Sequence, residues 1–145
     1  MYSGIHFETT EEVVSPIAGR EESYIAWLVD VAKKQQRFIE ELSYIFCSDD
    51  YLLDMNIRYL GHDYYTDIIT FPYNEGEKLS GDLFISIDRV RENATDYGAD
   101  FDTELRRVMV HGLLHLMGFG DKTEEEVQIM RAREDACLKM FDSLF

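Results

Sequence analysis

His111 and His115 stand four residues apart in the run TELRRVMVHGLLHLM, residues 103–117. In a helix that spacing puts both imidazoles on one face, one turn apart. Two such rings can share a divalent ion at about 2.0–2.1 Å each. The run is otherwise apolar, and two imidazoles buried there without partners are costly. Gly118-Phe119-Gly120 then ends the helix and can turn the chain back, because glycine takes the left-handed conformation at helix C-termini without steric cost. Asp121 follows directly, a carboxylate within reach of the same ion. Two histidines and one aspartate leave a fourth position open, the layout of a catalytic rather than a structural zinc site. The donor types suit zinc. The bland alternative is one histidine satisfied in the core and one at the surface.

Zincin peptidases use H-E-x-x-H, with the Glu as general base. Here Gly112 follows His111, so that base is missing and peptide hydrolysis is disfavoured. A glycine inside a helix costs about 1 kcal/mol against Ala. Close approach of a neighbouring element, or room for substrate beside the ion, would account for it. Cys47 and Cys137 lie far from the histidines and are read as two buried thiols, although one disulfide is conceivable.

The elements that must position these groups are readable along the chain. Residues 4–8 alternate weakly and predict a strand. Tyr24, Trp27, Leu28 and Val31 recur at helical spacing and predict a helix over residues 21–36. Strands are expected at 40–47, 66–71 and 82–87, with Ser48 or Asp49 capping a helix to about Tyr59 and a loop over residues 73–81. A polar helix over 88–97 precedes the histidine helix. Thr123-Glu124-Glu125-Glu126 reads as a capping box that opens a last helix to about Phe141, with Val127, Met130, Cys137, Leu138 and Phe141 facing inward. Helices and strands mix without clean βαβ alternation. The expected class is α+β: a small mixed β-sheet of about four strands packed with about five helices, the metal site at the end of a buried helix.

The chain has 145 residues, 46% of them apolar and 30% charged, a globular composition read as one domain over 1–145. No apolar run reaches the roughly 18 residues of a membrane span, and no signal-peptide pattern opens the chain, so a soluble, cytoplasmic protein without membrane association is expected. Fourteen Lys and Arg against 29 Asp and Glu give a net charge of −15. Such a chain repels polyanions at long range, so nucleic-acid binding needs a local basic patch, a metal or a helper.

The stretch VMVHGLLHLMGFGD resembles the signature H-G-x-L-H-L-x-G-Y-D-H of the YbeY family, metal-dependent endoribonucleases of rRNA maturation. The match runs through His111, Gly112, Leu114, His115, Leu116 and Gly118. A second block, MNIRYLGHDYYTDIITFPY, is similar to the family's N-x-x-[YF]-R-x-K-D-x-x-T-[ND]-V-L-S-F-P at Asn56, Tyr59, Asp63, Thr66, Asp67, Phe71 and Pro72. A third, SGDLFIS, resembles its G-D-[LI]-x-I-[SC] strand. The resemblance implies a zinc-dependent endoribonuclease that prefers single strands, acts on rRNA precursors in maturation and ribosome quality control, and has small-subunit ribosomal proteins as candidate partners. It departs in two places. The family's third ligand is His where this chain has Asp121, and a carboxylate there makes a bound ion a weaker Lewis acid. The family's Arg after the tyrosine is Leu60 here, removing a natural phosphate contact. Arg58 or His62 could substitute.

Under this reading, Arg89, Arg91, Arg106 and Arg107 are candidate phosphate contacts against surface charge pairing. Asp67, Asp82 and Glu104 are candidate general bases by type alone, and the catalytic residue is left unassigned. Thr66, Thr70 and Ser86 could line a groove, and Tyr64 and Tyr65 could stack on bases. The alternative function is a non-catalytic, metal-binding ribosome assembly factor, favoured by Leu60 and Asp121.

Overall fold

The computed structural model of the chain describes residues 4–10 and 13–145. Its elements are β1 (Ile5–Thr9), α1 (Glu21–Lys34), β2 (Phe38–Cys47), α2 (Asp49–Leu60), β3 (Ile68–Pro72), β4 (Lys78–Ser86), α3 (Ile87–Tyr97), α4 (Phe101–Leu116) and α5 (Glu124–Leu144). The fold is α+β. The strands form one mixed sheet in the order β1-β2-β4-β3: β1, β2 and β4 are parallel, and β3 lies antiparallel to β4 at the edge.

The starts of α2 to α5 are fixed by side chains that satisfy otherwise orphaned N–H groups; α1 opens at Arg20 with no side-chain cap. Ser48 Oγ accepts from Tyr51 N at 3.1 Å to open α2, and Asp100 Oδ1 accepts from Thr103 N at 2.8 Å to open α4. Thr123 and Glu126 form the reciprocal box that opens α5. The main core lies between one face of the sheet and α1, α4 and α5, where Trp27, Leu28, Leu42, Tyr44, Leu83, Leu105, Met109 and Leu113 are fully buried. Buried polar tips find partners there: the Trp27 indole donates to Cys137 O at 2.8 Å and the Tyr44 hydroxyl to Met109 O at 2.9 Å. The opposite face carries a smaller cluster of Cys47, Leu52 and Ile69 under α2.

α4 crosses the sheet at Gly112, and the reason is packing. A Cβ there would lie 2.7 Å from Ile68 Cδ1 and closer still to Leu83 Cδ2, so only a hydrogen allows the helix to sit against β3 and β4.

Three expectations change. β4 begins at Lys78, not at 82, because residues 78–81 continue the pairing with Phe38–Leu42 of β2. Its turn-like Ser80 and Gly81 hid the inward alternation of Leu79, Gly81, Leu83 and Ile85. β3 covers Ile68–Pro72, starting later than expected and taking in the proline, which an edge strand tolerates. On α5, Val127 is exposed, and the inward stripe instead runs Met130, Glu134, Cys137, with a carboxylate in its middle.

Cys47 and Cys137 are free and buried. Burial pushes the Cys47 thiol up to about 12 and the Cys137 thiol to about 11. Among the described residues, no helix is long and apolar enough to cross a membrane.

Candidate metal centre and its groove

α4 carries His111 and His115 with ring centroids 4.6 Å apart and ring planes at 83°. Gly118, at φ +102°, lets the chain reverse past the helix end. The reversal brings Asp121 Oδ2 to 3.1 Å from His115 Nε2 and 3.4 Å from His111 Nε2. Two ligands held at 2.0–2.1 Å around a tetrahedral ion lie about 3.3 Å from each other. The three side chains each offer one donor atom within 4.8 Å of the others, so the set fits a single divalent ion.

Behind His111 stands a group that the sequence reading missed. Glu134 Oε2 lies 2.6 Å from His111 Nδ1. A proton on Nδ1 donated to this carboxylate leaves Nε2 with its lone pair toward Asp121, the tautomer a metal ligand needs. Arg107 in turn donates from Nη1 to Glu134 Oε1 at 2.9 Å and from Nη2 to Asp135 Oδ1 at 2.8 Å. Burial alone would lower the His111 pKa. The hydrogen bond and charge of Glu134, with Asp121 and Asp67 beyond, outweigh it and hold the ring above its ordinary value. The signal for Glu134 was present in the sequence: a charged residue on the buried stripe of an amphipathic helix, between Met130 and Cys137, must be paired.

Two hollows flank His111. The larger, a groove of about 640 Å³, runs along β3 past His115 and Asp121, with Leu60, Thr66, Thr70 and Pro72 in its walls. Lys122, also absent from the sequence reading, is its lone Lys or Arg among the described residues. The smaller, a rear cavity of about 160 Å³, is lined by Glu104, Arg107, Arg131 and Glu134. Asp67 and His111 line both. Asn93 Nδ2 donates to Asp67 Oδ2 at 3.4 Å. Burial raises the Asp67 pKa above the usual carboxylate range, partly countered by His111.

Several sequence candidates lie elsewhere. Ser86 is fully buried, caps α3 by accepting from Arg89 N at 3.1 Å and donates to Asp49 Oδ1 at 3.0 Å, so it lines no groove. Arg89 is tied to Asp49 at 2.8 Å, Arg91 lies over the Phe101 ring and Arg106 over Phe141. Arg107 braces Glu134 and does not face the groove. Glu104 is confined to the rear cavity, and Asp82 accepts from the Tyr73 hydroxyl at 3.2 Å, away from the histidines. Neither substitute for the missing arginine is free: Arg58 pairs with Asp54 at 3.0 Å and His62 stacks against Tyr64 at 5.2 Å. Tyr65 points away, under the Arg89 guanidinium.

Comparison with known proteins matches residues 7–142 to the family model described as endoribonuclease YbeY. The chain is 48% identical over 137 residues to endoribonuclease YbeY of Flavobacterium psychrophilum, covering 94% of this chain and 91% of that one. It is 56% identical over 115 residues to the Cytophaga hutchinsonii protein of the same name, covering 79% and 80%. The solution structure of TM1509 from Thermotoga maritima superposes with a TM-score of 0.70 at 25% identity, covering 94% of this chain and 88% of that one. Alignment over nearly the whole length, on one shared fold, means that this chain belongs to the YbeY endoribonuclease family.

Proposed function

We propose that the chain is a zinc-dependent endoribonuclease that cuts single-stranded segments of rRNA precursors during maturation and ribosome quality control, with His111, His115 and Asp121 as the metal ligands. The observation that carries the reading is the position of Asp121 Oδ2, 3.1 and 3.4 Å from two Nε2 atoms at the side of an open groove. The names of the relatives support RNA as substrate.

A divalent ion supplies Lewis acidity, lowering the pKa of water toward 7 and polarising a phosphoryl oxygen. The chain's own residues do the rest. Glu134 fixes the His111 tautomer and ring orientation, and Arg107 holds Glu134. Hydrolysis needs an acceptor for the proton that water loses as its oxygen adds to phosphorus. Asp67 is the candidate: it is the one former general-base candidate that lines the groove, and its raised pKa brings it nearer the working range of a base at neutral pH. Asp121 adds negative charge to the donor set, so weaker Lewis acidity than with three imidazoles is expected.

Cleavage of an rRNA-precursor fragment by the zinc-loaded protein, beside His115→Ala, tests this. Cutting that disappears in the variant, and one equivalent of zinc that is lost in His111→Ala, are the expected results. Equal cutting by both proteins points to a contaminating nuclease and overturns the reading. No cutting by either favours the second reading, a non-catalytic assembly factor, which the apolar Leu60 in the groove wall also favours.

A further inference from the structure

We propose that the free edge of β3 reads unpaired bases through its main chain: the outward Thr70 N–H, with the Ile68 and Thr70 carbonyls beside it, pairs with the Watson–Crick edge of a nucleotide lying in the groove. The inference rests on the endoribonuclease reading and names what the groove recognises in its substrate.

β3 ends the sheet and is paired to β4 on one side only. In an antiparallel ladder, alternate residues turn both main-chain groups toward the partner strand, and the residues between turn theirs away. Ser86 N donates to Asp67 O at 2.9 Å and Tyr73 N to Ser80 O at 2.8 Å, on either side of the register Ile68↔Ile85 to Pro72↔Gly81. Asp67, Ile69, Phe71 and Tyr73 therefore face β4, and the main-chain groups of Ile68, Thr70 and Pro72 point off the sheet. Pro72 fits this phase, because a residue there has no ladder N–H to lose. Neither the N–H nor the C=O of Thr70 has a hydrogen-bond partner among the described residues.

The groove follows this edge rather than one face of the sheet. Ile68 reaches toward Gly112 on the α4 side, whereas Ile69 packs with Cys47 and Leu52 on the α2 side, and both line the groove. Leu60, at the end of α2, and Leu116, at the end of α4, wall it from the two sides. His111, His115 and Asp121 border the same space, so a nucleotide held against Thr70 lies beside the candidate metal ligands.

The supply of donors separates a base from a peptide. An added protein strand is held by a row of main-chain bonds that alternate N–H and C=O. Pro72 offers no N–H and the Ile68 N–H faces the Asp67 carboxylate, so Thr70 carries the outward donor that remains along β3. Outward carbonyls flank it, and that of Ile68 accepts only a long 3.5 Å bond from Thr66 Oγ1. One donor among acceptors is too little for a strand and suits a Watson–Crick edge, on which every base sets a donor next to an acceptor. A duplex has those edges occupied, so the edge reads pairing state rather than sequence. Such a readout needs no cation, which suits a net charge of −15 and a groove whose lone Lys or Arg among the described residues is Lys122.

The test is fluorescence anisotropy of the zinc-loaded protein with two labelled, cleavage-resistant 2′-O-methyl strands of equal length, one of uridines and one of 3-methyluridines, whose Watson–Crick donor is blocked. The uridine strand is expected to bind about tenfold tighter, the worth of one or two net hydrogen bonds. Thr70→Pro deletes the donor and leaves the pairing with β4 whole, because that N–H is not part of it. It should weaken the uridine strand by about tenfold, with zinc content and thermal midpoint close to the parent's. Thr70→Val keeps the N–H, loses the hydroxyl and should bind uridine as the parent does, which separates main chain from side chain. Equal affinity of the parent for both strands overturns the proposal without recourse to a variant and leaves the edge to a protein strand. Parental uridine binding by Thr70→Pro, or an equal loss in Thr70→Val, overturns it too. If an rRNA-precursor fragment is still cut while both strands bind equally, the base readout alone falls; if neither strand binds and nothing is cut, the endoribonuclease reading falls with it.

Discussion

The groove and the rear cavity share two walls, His111 and Asp67, and differ in almost everything else. The groove is long, open and walled by an edge strand, with hydroxyls, apolar side chains and a single lysine. The rear cavity is small and ionic. Glu134 is 5% exposed and bonded to both His111 and Arg107, and Glu104 is equally buried beside them. His111 is thus already oriented from behind, while His115 and Asp121, half-buried and exposed, have only each other and His111 as ionic or ring partners. Under the proposed function the difference separates two tasks that share one helix: the rear would set the geometry of a metal ligand before substrate arrives, and the front would leave room for a polymer.

Asp67 belongs to both sides, so its loss should have the largest effect. Asp67→Asn keeps the shape and removes the basic oxygen. Cleavage is expected to fall by about 10²- to 10⁴-fold, the usual contribution of a general base. Zinc content should stay at one equivalent, since the residue is not in the donor set. Single-turnover rates with metal analysis on the same sample check this. A rate within a factor of a few of the parent would remove Asp67 from the chemistry and make it a wall residue only.

A change confined to the rear should be smaller and of a different kind. Glu134→Gln retains a hydrogen-bonding side chain but loses the charge that steadies the His111 N–H. Partners of this type affect metal affinity or activity by about 10- to 100-fold. Competition with a chelator of known affinity should place the zinc Kd of Glu134→Gln in that range above the parent. Lys122→Ala, on the groove side, should leave the zinc Kd alone and raise KM for RNA. Equal effects of the two changes on zinc affinity would break the division of labour between the hollows.

How much of this could be read from residues alone depends on sequence distance. His111, His115 and Asp121 fall within eleven positions, and a helix followed by a glycine turn relates them by local geometry. Capped helices were legible for the same reason: Ser48 and the Thr123–Glu126 box act within one turn. Glu134 reaches His111 from 23 residues away, across a helix–helix contact whose register no local rule supplies. The arginines failed in the same way. Arg89 and Arg107 are basic residues near the motifs, but their partners Asp49 and Glu134 come from other elements and take them out of substrate's reach. Strand β4 was misread at its start because Ser80 and Gly81 look like a turn until β2 is alongside.

Glu104 offers the mildest and cleanest test of the rear cavity, because it is ionisable, buried and bonded to neither histidine nor Asp121. Burial pushes its pKa above 4.5; Asp67 and Glu134 add to the rise, and Arg107 and Arg131 oppose it. The native state thus holds this proton more tightly than the unfolded chain does. That contribution to stability is complete at pH below 4.5 and is lost as pH climbs through the raised native value, so at neutral pH the buried carboxylate is a net cost. Glu104→Gln removes the titration. Its thermal midpoint should match the parent near pH 4 and exceed it at pH 7, by about 2–4 °C for each kcal/mol recovered in a chain of this size. Zinc content and cleavage should be unchanged. A midpoint difference that is the same at both pH values would mean that the glutamate's charge is compensated in place, and that the rear cavity is balanced as an ionic network rather than tolerated for the one acid that orients His111.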